Sequence, residues 1–484
     1  MIFFLLISLK FLPSPKRERN KEKKLCPIIY SKPRTVIATC PASRVMATQK
    51  DTIEIGIIGA GGMGRFYANK LSQAGWKNIN ICDLPSKYES LKEDFKDTKI
   101  NVLPDGFHVS RRCDWIMYAV EAEYIDSVVS TYGPASKIGA VVGGQTSVKQ
   151  PEIDALVKYL PSDVHIVSCH SMHGPGVDPK NQPLVVIRQR ATDEKYQLVL
   201  NILECFESNI VHLSAEEHDR ITADTQAVTH AAFLTMGSAW RANHQFPWLL
   251  PRLVGGIENV KVNVALRIYS NKWHVYAGLA IMNPTAKIQI AQYAKSVADL
   301  FKLMIQEKET EFRARIKAAG DHVFGGLQKD HVPILLSDQI LDEFSLSNIP
   351  SDVRIPNSHL SLLAMVDCWY ALKLNPYDHM VCQTPLFRLW MGITEYLFRS
   401  PMMLEDTIQA ALYRKEIRSD DMEFVTCARG WAECVDLGSM EGYQKRFTAT
   451  ADFFRDRFSD SNIVGNKMIA MISKNMHKTG EEKK

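Results

Sequence analysis

The chain has 484 residues, 46% apolar and 23% charged, with a formal net charge of +4. So much apolar content at so low a net charge excludes disorder of the whole chain, and no apolar run reaches the ~20 residues that a membrane-spanning helix needs. At ~150 residues per domain, about three units are expected, or two with a large helical one.

The charge is unevenly placed. Residues 1–50 hold eleven Lys/Arg against Glu18 and Glu22, a net of +9, which leaves residues 51–484 at −5. A slightly acidic body argues against nucleic acid as a partner. Within the first fifty residues the apolar run Met1–Leu12 precedes the basic stretch, the reverse of a secretory signal. Residues 31–50 are acid-poor, as in a mitochondrial transit peptide, but form no clear amphipathic arginine-rich helix. By elimination the segment reads as a disordered tail, or as non-native sequence upstream of a start at Met46. Ten scattered cysteines with no CxxC pair, in a chain too large to need disulfide staples, imply a reducing, cytoplasmic setting.

Ile53–Ile58 reads as a buried strand, followed at once by Gly59-Ala-Gly61-Gly62-Met63-Gly64. A helix-like stretch from Arg65 to Ala74 comes next, with Gly75 as its C-cap, then a second strand, Ile79–Cys82, ending at Asp83. This is the GxGxxG pattern in the context that gives it meaning. Gly59 permits the tight turn, Gly61 lets backbone approach a pyrophosphate, and Gly64 lets helix pack on strand. An acid at position 83 accepts from a ribose 2′-hydroxyl and favours NAD. Ser86 and Lys87 would receive a 2′-phosphate if Asp83 turned away, and spacing leaves both cofactors open.

Further strands are expected at Trp115–Val120, Lys137–Val142, Val164–Cys169, Pro183–Arg188 and Asn209–Leu213. Ligands of open α/β sheets sit beyond the carboxyl ends of the strands, which brings Ser147 and His170 to one crevice. Ser147 alternatively caps the following helix, and His170 alternatively sits in a turn. His170 and His173 lack partners at zinc-site spacing, so no metal is expected. From the capping box Ser214–Glu217 onward the pattern is helical: to Trp240, then Val260–Tyr269, His274–Met282 and Lys287–Lys317, with a break at Asn283-Pro284.

Gly59–Gly64, Thr146–Lys149, His170–Pro175, His218-Asp219 before Thr229-His230, and Leu266–Tyr269 occur in the order found in prephenate dehydrogenases. The chain resembles that family, its fungal members most, from about Lys50 almost to the C-terminus. The resemblance implies oxidative decarboxylation of prephenate to 4-hydroxyphenylpyruvate in tyrosine biosynthesis. NADP is the implied cofactor, with NAD as the alternative. It also implies His170 as the catalytic histidine at the ring C4 hydroxyl and Ser147 beside it, orienting that histidine or the hydroxyl. Arg267 is implied at a substrate carboxylate, and His230 in the substrate pocket. Tyr276 stands where bacterial members often carry Trp, and Ser171 where they usually carry Pro. The cofactor set is Gly59, Gly61, Gly62, Met63, Gly64, Asp83 and Lys87.

The expected architecture is an α/β Rossmann-type dinucleotide-binding domain followed by an all-α C-terminal half. Residues 1–50 form the tail, 51–215 the Rossmann domain, 216–334 a helical substrate and dimerisation domain, and 335–484 a helical C-terminal region. Ser358–Trp369 can be laid over Thr229–Trp240 with His, Leu, Met and Trp coinciding, and Phe387–Trp390 echoes Leu266–Tyr269. The last region therefore reads either as a degenerate copy of the helical domain or as a chance likeness between amphipathic helices. His359 and Arg388 would then be packing relics. A homodimer or a pseudo-dimeric monomer follows. Arogenate dehydrogenase is the near rival. A β-hydroxyacid dehydrogenase would use a lysine in the first helical segment, yet no Lys lies between Lys195 and Lys261. A non-enzymatic dinucleotide sensor leaves Ser147, His170 and Arg267 unexplained.

Overall fold

Runs of Ile, Val and Met bounded by glycine and polar turns become the strands of one sheet. The computed structural model describes residues 49–327, 333, 341–349, 355–382 and 384–481, so the tail 1–48 lies outside the described residues. The strands are β1 (Glu54–Ile58), β2 (Asn78–Cys82), β3 (Ile100–Val102), β4 (Trp115–Tyr118), β5 (Val141–Gly144), β6 (His165–Ser171), β7 (Pro183–Arg190) and β8 (Asn209–His212). Their order is β3-β2-β1-β4-β5-β6-β7-β8. All neighbours pair parallel except β6 and β7, which are antiparallel.

Helices α1 (Gly62–Gln73), α2 (Tyr88–Phe95), α3 (Gly106–Arg112), α4 (Ile125–Tyr132), α5 (Gln150–Tyr159) and α6 (Asp193–Leu203) cover the sheet. Alternate residues of one strand feed two cores. Ile57 and Met117 pack with Leu71 and Leu203 on one face, and Ile58 and Ile116 pack with Val129 and Leu156 on the other. Burial on both faces is why these strands read as continuous apolar runs. Strand order reverses between β1 and β4, which opens a crevice beyond their carboxyl ends.

After β8 the capping box of Ser214 and Glu217 starts α7 (Ala215–Thr222). A π-helical segment, Ala223–Ala227, joins it to α8 (Val228–Ala242). Then come α9 (Ile257–Tyr269), α10 (Trp273–Met282), α11 (Pro284–Ile305) and α12 (Glu309–Phe324). Asn283 caps α11 by accepting from the Thr285 and Ala286 amides, and Pro284 takes the first helical position. The remainder is α13 (Leu360–Leu372), α14 (Pro385–Arg399), α15 (Pro401–Tyr413), α16 (Arg418–Asp436), α17 (Met440–Phe454) and α18 (Phe458–Glu481). Among the described residues no helix is long and apolar enough to cross a membrane.

Three elements differ from the sequence expectation. Residues 137–140 form a turn with Gly139 at φ +70, and β5 begins only at Val141. The expected helix 287–317 breaks between Ile305 and Glu309, where Glu307 adopts φ +51. β3 has no counterpart in the expectation; three residues are too few to show an alternating pattern.

Candidate active site

The glycine loop follows β1. Gly59 has φ +108, and a Cβ there would lie 2.5 Å from the Ala119 carbonyl oxygen. A Cβ on Gly64 would lie 2.0 Å from the Gly59 oxygen, so α1 can seat on the turn only without a side chain. Gly61 faces open space and caps α1 without a side-chain bond, leaving the first-turn amides of Gly62 and Met63 for an anion.

Asp83 is turned inward. Its Oδ2 accepts from the Ala60 amide at 3.1 Å, and its Oδ1 accepts from the Leu84 amide at 2.7 Å and Lys87 Nζ at 3.1 Å. The carboxylate is thus engaged by the loop it supports, while the Lys87 side chain remains 57% exposed. That arrangement separates the two cofactor alternatives in physical terms. An Asp83 already holding three donors, one of them cationic, no longer repels a 2′-phosphate, and Lys87 offers it a charge.

His170 lies inside β6, hydrogen-bonded in the sheet opposite Val185, and is not a turn residue. Its Nδ1 is 2.8 Å from His218 Nε2, and His218 Nδ1 is 2.8 Å from Asp219 Oδ1. Asp219 also accepts the amides of Lys149 at 2.6 Å and Gln150 at 2.8 Å, so it caps α5 from across the chain. A carboxylate that takes these N–H groups is an acceptor, and the proton order follows from it. His218 carries its proton on Nδ1 and offers Nε2 as acceptor; His170 donates from Nδ1, which leaves the Nε2 lone pair free. His170 Nε2 has no hydrogen-bond partner among the described residues. Burial, with His218 and Lys149 nearby, holds the His170 pKa well below its ordinary value, so the imidazole is neutral.

Lys149 is fully buried. Its ammonium pairs with Glu152 at 3.0 Å and donates to Ser168 Oγ at 2.9 Å and the Cys169 carbonyl at 2.8 Å. A buried ion pair is costly unless its remaining donors are met, and here they are. The result locks β6 next to His170 to the β5–α5 loop. Ser147 sits in that loop, half-buried, and its hydroxyl has no hydrogen-bond partner among the described residues. The contact that orients His170 therefore comes from His218, and not from Ser147.

His230 lies twelve residues beyond His218 on the same helical rod. An undistorted α-helix would set the two about 120° apart around the axis; the extra residue of the π segment reduces that to about 20°. His230 stacks edge-on against Tyr276 of α10, ring centroids 4.8 Å apart. Burial pulls the His230 pKa down to about 4 and pushes Tyr276 up to about 12. Arg267 lies close enough to Tyr276 to favour its phenolate form, and it donates one N–H to Asn466 of α18 at 2.6 Å. Its other donors have no partner among the described residues. At its start α10 meets the nucleotide crevice, where His274 faces Glu121 at 3.1 Å, and Gly278 packs against Ala122 further along. It thus runs from that crevice to the cluster of Arg267, His230 and Tyr276.

Residues 227–474 match the family described as a 6-phosphogluconate dehydrogenase C-terminal domain. Residues 54–142 match that described as NADP oxidoreductase, coenzyme F420-dependent. A probable NADP(+) prephenate dehydrogenase of Schizosaccharomyces pombe is 56% identical over 430 residues, covering 89% of this chain and all of its own length. The NADP(+) prephenate dehydrogenase of Saccharomyces cerevisiae is 50% identical over 431 residues, covering 87% of this chain and 94% of its own. The chain belongs to the prephenate dehydrogenase family. A crystal structure of prephenate dehydrogenase from A. aeolicus with hydroxyphenyl propionate and NAD+ aligns with a TM-score of 0.46 at 19% identity, over 55% of this chain and 96% of that one.

Sequence reasoning missed several residues of this member's site. His218 and Asp219 appear in the ordered motifs, but nothing local reveals that they face His170. Trp431, Val435 and Tyr443, on α16 and α17, line the cavity beside His230 and Tyr276. The signal for the first pair was a His-Asp dipeptide just inside a capped helix; for the last three there was none.

Proposed function

We propose that the chain oxidises prephenate with NADP, releasing CO2 and 4-hydroxyphenylpyruvate, with His170 as the group that moves the proton. The observation that carries this reading is the ordered chain Asp219–His218–His170, which leaves a neutral imidazole with one free lone pair at the cofactor crevice. Bound NADP supplies the hydride acceptor. As the C4–H bond gives up its hydride, His170 Nε2 takes the hydroxyl proton. Loss of the ring carboxylate as CO2 then sends an electron pair to the new carbonyl oxygen, and the proton returns from His170 to the phenol. Aromatisation drives the step. Ser147 is the candidate donor to the same hydroxyl, Arg267 binds the side-chain carboxylate through a planar fork that Lys cannot reproduce, and His230 and Tyr276 line the pocket. A cytoplasmic setting accompanies this reading, supported by eight described cysteines that are all free.

The first-turn amides of α1 would hold the pyrophosphate, and Lys87 the 2′-phosphate. Lys87→Glu is therefore expected to raise KM for NADP about tenfold or more, the worth of a charge-assisted contact, with little change for NAD. Equal losses with both cofactors would contradict that role. Arg267→Lys should raise KM for prephenate and leave the KM for NADP intact; a selective loss of cofactor affinity would contradict its placement. Initial rates with prephenate and arogenate, each with NADP and NAD, test the reading as a whole. The prephenate–NADP pair should give the highest kcat/KM, and preferential turnover of arogenate would overturn it.

A further inference from the structure

The helical half contains one set of five helices twice. α8 packs on α16 as α13 packs on α11, α9 packs on α17 as α14 packs on α12, and α10 packs on α16 as α15 packs on α11. Two elements meet their own counterparts: α11 crosses α16, and α9 touches α14. If element i contacts j and the copy of j contacts the copy of i, the two sets are related by a two-fold axis, the signature of an isologous interface. The sequence echo falls on the same pairing, since Thr229–Trp240 begins at α8 and Ser358–Trp369 leads into α13. Chance likeness of amphipathic helices would explain a shared His, Leu, Met and Trp, but not this reciprocal packing.

The second set reaches the site of the first. Trp431 and Val435 on α16 and Tyr443 on α17 face His230 and Tyr276 across a narrow apolar cavity, and His230 Nδ1 is buried there with no hydrogen-bond partner. The counterpart histidine has another job. His359, at φ +43 just before α13, is held by Lys261 Nζ and Glu258 Oε1 of α9, each at 2.9 Å. It latches the second set onto the first and is no packing relic.

We propose that residues 360–454 are a second copy of the helical unit 228–324, acting as the chain's own pairing partner, and that its Trp431, Val435 and Tyr443 wall the substrate pocket opposite His230. One chain then holds one complete site. The inference rests on the reading that His230 lines the prephenate pocket.

Active-site complementation tests it. Turnover of prephenate with NADP by the unaltered chain is measured first, so that failure of the functional reading shows separately. Val435→Phe, which fills the cavity, should raise KM for prephenate at least tenfold with KM for NADP unchanged. Trp431→Phe, which leaves a gap, gives the same readout should Val435→Phe not fold. Co-expression of His170→Asn with the impaired wall variant should give no more activity than the two made apart, and the active unaltered protein should have the mass of one chain. Substantial recovery on co-expression, a folded wall variant with unchanged KM for prephenate, or activity confined to a two-chain species would each overturn the proposal.

Discussion

His170→Asn is expected to lower kcat by about 10²–10⁴, the range for losing a positioned general base. The expectation rests on geometry. His170 projects from the end of β6, donates through Nδ1 to His218, and keeps Nε2 free. Asn fills part of the space and can hydrogen-bond a hydroxyl, so KM for prephenate should change little, but an amide cannot take the proton as the carbonyl forms. Burial and the neighbouring His218 and Lys149 favour the neutral ring, so protonation that silences the base belongs below pH 6.5. Near-normal turnover by the variant would remove His170 from this role.

His218→Phe should lower kcat by about 10²–10³ although residue 218 is 0% exposed and touches no reacting atom. Phe keeps the ring volume and removes the acceptor for the His170 Nδ1 proton. With no partner at Nδ1, His170 shifts its proton to Nε2, and the lone pair that faces the crevice is lost; a wrong tautomer alone is worth orders of magnitude in rate. His218 is a positioning residue, so the loss should fall on kcat and spare KM for prephenate. The double variant His170→Asn/His218→Phe should be about as slow as His170→Asn alone, because the two act as one unit. Multiplicative losses would show that His218 acts independently, through stability or packing.

The parts of the fold that were legible are those decided locally. The glycine loop, the two strands flanking it and the Ser214–Glu217 capping box each follow from residues within a few positions, and all three are present. The misplacement of β5 has a physical reason: its last residues are Gly143 and Gly144, which read as a turn. Yet a Cβ on Gly143 would lie 2.0 Å from the Val167 oxygen of β6, so glycine is what lets the strands approach. The helix break at Glu307 carries no Pro or Gly to announce it. The site was half legible. His170 and Ser147 are brought to one edge by the rule for strand ends, but the partner of His170 lies 48 residues away, and the Lys149–Asp219 bond spans 70. The π segment that turns His230 toward the face of His218 is a one-residue insertion with no signature in composition or period. Asp83 shows the same limit. Its identity suggests one cofactor, and its hydrogen bonds to Ala60, Leu84 and Lys87 support the other.

The most direct test is the pH dependence of kcat/KM for prephenate with NADP, which reports the free enzyme. A neutral His170 whose tautomer is fixed through His218 predicts efficient NADPH and 4-hydroxyphenylpyruvate formation in equal amounts, with an acid limb below pH 6.5 that His170→Asn abolishes along with most of the rate. An acid limb at or above pH 6.5, or one that survives unchanged in His170→Asn, would contradict it.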